Sequence, residues 1–394
     1  MASVERIAFV SPRFARDDAV GGAETLLKNL AERAASAGKK VVFLTTCAKD
    51  HFTWQNVVQP GWRRHGDLNV HFFPVDADRD VNSFLSVQDR ISRRVPVTPA
   101  EEEIWMRHSV NSLALYDHLR SGEGEYDRVI AGPYLFGITF NASMICPEKT
   151  ILVPCLHDEP FARLGIIRKM FRSVRGFMFN VGPEMDLAIS LYDLPPEKCK
   201  VVGMGLDEFS VDGKAFRERY GITSPYVIYS GRREAMKGVP LLLDYMDAFR
   251  KRTGLDVKFV LTGSGTIDAP DTMKDHVIDL GVVSVNEMRE AMAGAVALVH
   301  ASMYESLGIV LIESFMAGTP ALVFAKGRVL QWQCERSNGG LWFKNYPEFE
   351  ESLKLLLENQ SLRDKLAACG KEFVLTEYSW DAVEKRMMDS LREI

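Results

Sequence analysis

Short, mostly apolar runs alternate with stretches of helical periodicity along almost the whole chain. In the first half the runs fall at 7–10, 41–45, 70–73, 129–131, 150–154, 177–180 and 200–202. In the second half they fall at 226–229, 257–262, 277–279, 295–300 and 321–324. Between them, Ala23, Leu26, Leu27, Leu30, Ala31 and Ala34 mark a helix near 23–37 that Gly38 stops. Further helices are expected near 239–252, 285–293, 308–317, 347–358 and 361–376. Strands apolar on both faces need cover on both sides, which helical crossovers between parallel strands supply. The alternation therefore predicts an α/β fold. A chain of 394 residues is long for one core, so two domains are expected, joined near the polar, glycine-bearing stretch 203–221. Two open parallel sheets facing across a cleft would present ligands with the carboxyl ends of their strands.

Composition closes off other classes. A hydrophobic content of 46% with 26% charged residues describes a soluble globular protein, and a net charge of −5 gives no reason to expect nucleic acid as a partner. The six cysteines form no CxxC pair and no metal-ligand spacing, so they read as reduced thiols in a cytoplasmic protein without a metal site. Residues 1–6 run straight into a strand pattern, and no signal peptide is expected. The uncharged stretch 129–147 approaches membrane-spanning length, yet Gly132, Pro133, Gly137, Asn141 and Ser143 make it a buried strand, a turn and a buried helix.

The chemistry gathers at strand ends. After the run 295–300, Glu305 precedes Ser306, Leu307 and Gly308, and a helix from Ile309 carries Glu313, ending at Gly318 and Pro320. Free N–H groups at such a helix start attract phosphate, and carboxylates accept hydrogen bonds from sugar or ribose hydroxyls. A sugar nucleotide satisfies both. Gly21 and Gly22 open the first helix, either as a phosphate approach or as an ordinary turn. In the loop 231–238, Arg232 or Arg233 and Lys237 can neutralise a diphosphate, or the loop is simply solvated. His157 follows the run 150–154 and either faces a substrate hydroxyl or is structural. The strand-end turns containing Gly265 and Val283 can each hold a base through backbone groups. Residues 161–175 bear Arg163, Arg168, Lys169, Arg172 and Arg175 without an acid. They read as a packed helix with a solvated basic face, or as a peripheral contact with an anionic membrane. Ile166 and Met170 widen the apolar side in favour of the first.

This ordered set, with Ala317 to Pro320 and the terminal Tyr378, Ser379 and Trp380, resembles glycosyltransferase family 4, retaining enzymes of GT-B fold. The stretch 45–54 more loosely resembles transferases of exopolysaccharide assembly. The resemblance implies two Rossmann-like domains. The acceptor-side domain would cover 1–205 plus a final helix at 376–394, and the donor domain 206–375. It implies that Gly22, Arg232 and Lys237 hold the donor diphosphate, and that Ser306, Leu307, Gly308 and Ile309 present N–H groups to it. Glu305 and His157 would attend the transferred sugar, Glu313 the ribose, and the loop from Gly281 to Val283 the base. The implied donor is a nucleotide diphosphate sugar, with UDP-glucose or a related UDP sugar expected first. The implied acceptor is a glycan or polyprenyl-linked saccharide, and no cofactor or metal is expected. Localisation would be cytoplasmic, with the inner membrane face open as a peripheral site. Met204 to Asp207 and Lys326 to Trp332 depart from the family pattern, so sugar and acceptor preference are not inherited. Two other readings stand beside this one: a catalytically silent nucleotide-sugar binder within a polysaccharide complex, and a GT-B UDP-sugar epimerase. A nicotinamide oxidoreductase is disfavoured by the missing GxGxxG.

Overall fold

The computed structural model describes residues 4–15, 21–122 and 125–394. Part of the glycine-bearing loop 11–22 and the first three residues lie outside these. The chain divides into two compact units, Met1–Met204 with Val383–Ile394, and Gly205–Ala382.

The first unit opens with β1 (Arg6–Val10), α1 (Gly22–Ser36), β2 (Lys40–Thr46), β3 (Gly61–His65) and β4 (Leu68–Phe73). Three helices follow, α2 (Val81–Ser92), α3 (Pro99–Arg107) and α4 (Leu113–Ser121). Then come β5 (Arg128–Ala131), α5 (Gly137–Ile145), β6 (Thr150–Leu152), α6 (Gly165–Ser173), β7 (Gly176–Phe179), α7 (Gly182–Tyr192) and β8 (Cys199–Val201). The sheet order is β3-β4-β2-β1-β5-β6-β7-β8. All neighbours are parallel except β3 and β4, an antiparallel hairpin at one edge.

Two regions without an apolar run in the sequence, 48–69 and 76–110, nonetheless contain regular elements. Within 48–69, β3 carries exposed Arg63 and Arg64, as suits an edge strand. Gly66, at φ +57°, makes the tight turn into β4. Within 76–110, Asp80 caps α2 by accepting the Ser83 N–H at 3.0 Å. Thr98 and Glu101 form a reciprocal capping box at the start of α3. The stretch 129–147 is β5, a turn and α5 as expected, and no helix among the described residues is long and apolar enough to cross a membrane. Helix α6 buries Ile167, Met170 and Phe171 and exposes Arg168, Lys169 and Arg172, which is the packed form. Among the described residues no disulfide joins the six cysteines, of which Cys369 alone is exposed.

The second unit contains α8 (Gly213–Arg219), β9 (Tyr226–Ser230), α9 (Val239–Thr253), β10 (Lys258–Thr262), β11 (Val277–Gly281), α10 (Val285–Ala293) and β12 (Ala297–His300). It continues through α11 (Ile309–Met316), β13 (Ala321–Phe324), α12 (Arg328–Ser337), β14 (Gly340–Phe343), α13 (Tyr346–Glu358) and α14 (Gln360–Glu377). Its all-parallel sheet is ordered β11-β10-β9-β12-β13-β14, so the direction of strand addition reverses between β9 and β12. The stretches that become α8, α12 and β14 carry no expected element. Val329, Leu330 and Cys334 nonetheless sit at helical spacing and are buried in α12.

The last helix, α15 (Trp380–Glu393), begins in the second unit and ends in the first. Tyr378 accepts the Leu206 N–H at 2.7 Å, and a Cβ on Gly205 would meet the Trp380 ring at 2.3 Å. Beyond it, Arg386 donates to the Val202 carbonyl at 3.1 Å, and Lys200 pairs with Glu393 at 2.6 Å.

Gly263 ends β10 at φ +116°, where a Cβ would lie 2.1 Å from the Gly231 carbonyl oxygen. We expect Gly263→Ala to cost about 3 kcal/mol in urea unfolding, combining left-handed strain with overpacking. Gly318→Ala, at φ +80° with open space around it, should cost only about 1 kcal/mol. Equal costs would show that the close approach at Gly263 is unimportant.

Candidate functional site

In the second unit the ends of β9, β10 and β11 are stitched into one platform. The Gly231 N–H donates to Thr262 at 3.0 Å, Gly263 to Gly281 at 2.7 Å, and Arg233 to Ser264 at 2.9 Å. The Arg233 side chain is 3% exposed and is spent as a strut, donating to Asp279 and, at 3.0 Å, to the Gly265 carbonyl. The Arg232 side chain, by contrast, is half exposed and pairs with Glu234 at 2.8 Å. The structure thus separates two arginines that the sequence left equivalent. Gly265 lies under the Arg233 backbone. Val283 is half-buried just past β11, beside the 70% exposed Val282.

Lys237 and Glu305 come together where the strand order reverses. Gly238, at φ +77°, packs so closely on the loop after β12 that a Cβ would sit 2.5 Å from the Ala301 Cβ. That approach brings the Lys237 Nζ to 2.6 Å from the Glu305 Oε1, with both side chains about four-fifths buried. Burial pushes the Glu305 carboxyl up, but Lys237, His300 and Ser302 outweigh it and hold it below its ordinary value. His300 is 2% exposed, and burial drives its pKa down to about 4. Its Nδ1 accepts the Ser302 N–H at 3.2 Å, so the neutral ring shapes the turn leading to Glu305.

Ser306, Leu307, Gly308 and Ile309 then lead into α11, whose start no side chain caps. Gly308 takes φ +77°, and a Cβ there would strike Leu330 at 2.5 Å. Leu307 is held from behind: Gln333 donates to its carbonyl at 3.1 Å and accepts from the Tyr378 hydroxyl at 3.1 Å. Glu313, one turn into α11, accepts from Arg289 at 3.1 Å, and burial raises its carboxyl despite that partner. The Arg289 guanidinium also stacks 4.0 Å over the Phe209 ring.

In the first unit Gly22 begins α1, again without a side-chain cap. Glu24, in the first turn of α1, is buried, and Arg13 donates to it at 2.9 Å. His157 follows β6 with its side chain 28% exposed and its Nδ1 3.6 Å from Glu159. Glu159 in turn accepts from the Tyr134 hydroxyl at 2.7 Å. The preceding Leu156 N–H and the Asn180 N–H both donate at 2.6 Å to the buried Glu184, whose carboxyl burial lifts to about 7. Arg289, His300, Glu159, Glu184 and Gln333 are the residues that sequence reasoning missed. Only His300 and Glu159 carried a signal, through adjacency to a motif residue.

Residues 213–373 match the family model described as Glycosyl transferases group 1. An uncharacterized glycosyltransferase of Methanocaldococcus jannaschii is 27% identical over 222 residues, which is 51% of this chain and 55% of that protein. The chain spans about half the length of the curated relatives it matches. Among solved structures, sucrose-phosphate synthase from Thermosynechococcus elongatus aligns with TM-score 0.71 at 16% identity over 98% of both chains. Anabaena HepE in complex with UDP-glucose aligns with TM-score 0.69 at 15% identity, covering 99% of this chain and 100% of that one. The fold is thus GT-B, built from two Rossmann-like α/β units.

Because the folded pKa of His300 lies below its unfolded value, the unfolded chain binds the extra proton between pH 6.5 and about 4. Stability therefore falls as pH drops through that window, by up to about 3 kcal/mol from this group. His300→Asn keeps an acceptor for Ser302 and should flatten the slope of unfolding free energy against pH in that range. An unchanged slope would contradict the buried neutral imidazole.

Proposed function

We propose that the chain is a retaining glycosyltransferase of the family 4 type, acting in polysaccharide synthesis. It moves a hexose from a nucleotide diphosphate sugar, UDP-glucose or a related UDP sugar, to a hydroxyl of a glycan or lipid-linked saccharide. The observation that carries this reading is the Lys237–Glu305 pair at the strand-order reversal, beside an uncapped helix start. A family model spanning the unit that holds this pair supports it. So does the likeness of fold to a protein solved with UDP-glucose.

The chemistry follows from charge. As the bond between the anomeric carbon and the phosphate oxygen breaks, negative charge grows on the diphosphate. Lys237, Arg232 and the N–H groups of 306–309 stabilise it. These groups neutralise the leaving group, so donor binding is expected to persist in EDTA. The acceptor oxygen bonds to the anomeric carbon from the face the phosphate leaves, and its proton passes to the departing phosphate oxygen. Glu305 and His157 accept from and donate to sugar hydroxyls. Glu313 accepts from the ribose.

Turnover of donor and a verified saccharide acceptor tests the assignment. Glu305→Ala should lower kcat by 10²-fold or more, on the scale of losing one preorganised polar contact in a transition state. Affinity for UDP should stay within tenfold. Wild-type NMR should show the product with the donor's anomeric configuration. Undiminished turnover by the variant, or an inverted product, would remove the proposal.

A further inference from the structure

Outside the residues assigned above, the first unit contains a cavity of about 280 Å³ between the end of α2, the segment that follows it, α3 and the turn before α6. Its walls are apolar where Ile91, Val95, Val97 and Leu164 line it, and they carry three charged groups, Arg94, Arg163 and Glu102. Glu102 is already committed, accepting the N–H groups of Gly165 and Ile166 at 3.1 and 2.8 Å and so closing the start of α6. Arg163 is half exposed and pairs at 2.7 Å with Asp158, the neighbour of His157. Arg94 is exposed, and its guanidinium has no partner among the described residues. The outward Arg168 and Lys169 of α6 extend the positive charge beyond Arg163.

A short, largely apolar chamber beside two guanidiniums suits a phosphate attached to a hydrocarbon chain. Guanidinium forks bind phosphate oxygens in pairs, and apolar walls gain from hydrocarbon but not from sugar hydroxyls. The volume lies just below that of sites for whole drug-sized ligands, so it takes a phosphate and the first carbons, not a whole lipid. We propose that this cavity holds the phosphate end of a lipid-phosphate acceptor, with the phosphate between Arg94 and Arg163 and the first hydrocarbon segment against Val95, Val97 and Leu164. That the ligand is an acceptor rests on the transferase reading, to which the Arg163–Asp158 pair ties the cavity through the His157 loop.

Calorimetry on the full chain with geranyl phosphate, geraniol and inorganic phosphate tests it, with UDP-glucose titrated in parallel. Saturable binding of geranyl phosphate, at least tenfold tighter than either fragment, is expected. Arg94 sits at φ +60°, so Arg94→Gly relieves a left-handed backbone and keeps the fold. It should weaken geranyl phosphate at least tenfold and leave UDP-glucose unchanged, as should Val95→Glu at the exposed rim. Inorganic phosphate binding as tightly as geranyl phosphate would assign the site to free phosphate and overturn the proposal. So would absent geranyl phosphate binding, or binding indifferent to both variants. Geranyl phosphate binding without any nucleotide-sugar binding would leave the site standing and defeat the transferase reading; the reverse pattern would do the opposite.

Discussion

The reversal of strand order between β9 and β12 is the constraint on which the rest of the second unit depends. In a parallel sheet the chain leaves every strand at the same edge. Where the order reverses, adjacent loops lead to helices on opposite faces and leave a gap at the strand ends. The two loops flanking that gap carry Lys237 and Glu305. Their pairing needs Gly238, because any side chain there would collide with Ala301. Holding a lysine and a glutamate together, largely out of water, costs desolvation that each ion alone would bear in full and that their mutual attraction offsets. Such a pair earns its place by presenting opposite charges at one point, the ammonium to an anionic group and the carboxylate to hydroxyls.

The surrounding shell repeats one device in both units: a buried polar side chain grips the backbone of a strand-end loop from behind. Gln333 fixes Leu307, with Tyr378 fixing Gln333. Glu184 fixes Leu156 and Asn180 together, which sets the approach to His157. These bonds lock loop conformations before a ligand arrives, so ordering them is not charged against binding. They also give the tyrosine of the terminal Tyr-Ser-Trp motif a physical task, the bracing of the loop before α11.

Most strands were legible because their signal is local. The runs at 7–10 and 321–324 became β1 and β13 with shifts of no more than one residue. The order Glu305, Gly308, Glu313 pointed to a helix start flanked by acids, and it is one. What stayed hidden depended on tertiary context. Strand β3 is polar because it lies at an edge, so an apolar-run criterion passed over it. Helices α2 and α3 announce themselves only through caps at Asp80 and Thr98. No local pattern separates Arg233 from Arg232; only the position of Asp279 on β11 makes one a strut and leaves the other in solvent. Arg289 and Glu184 act through partners 24 and 28 positions away, a distance at which a single sequence carries no signal.

The central claim is that the second unit binds a nucleotide diphosphate sugar through Lys237. Calorimetric titration of EDTA-treated protein with UDP-glucose and other common nucleotide sugars tests it most directly. The account predicts one saturable site for at least one donor, weakened tenfold or more in Lys237→Ala through loss of a charge-assisted contact worth about 1.5–3 kcal/mol. Absence of binding by every donor, or affinity unaltered by Lys237→Ala, would contradict it.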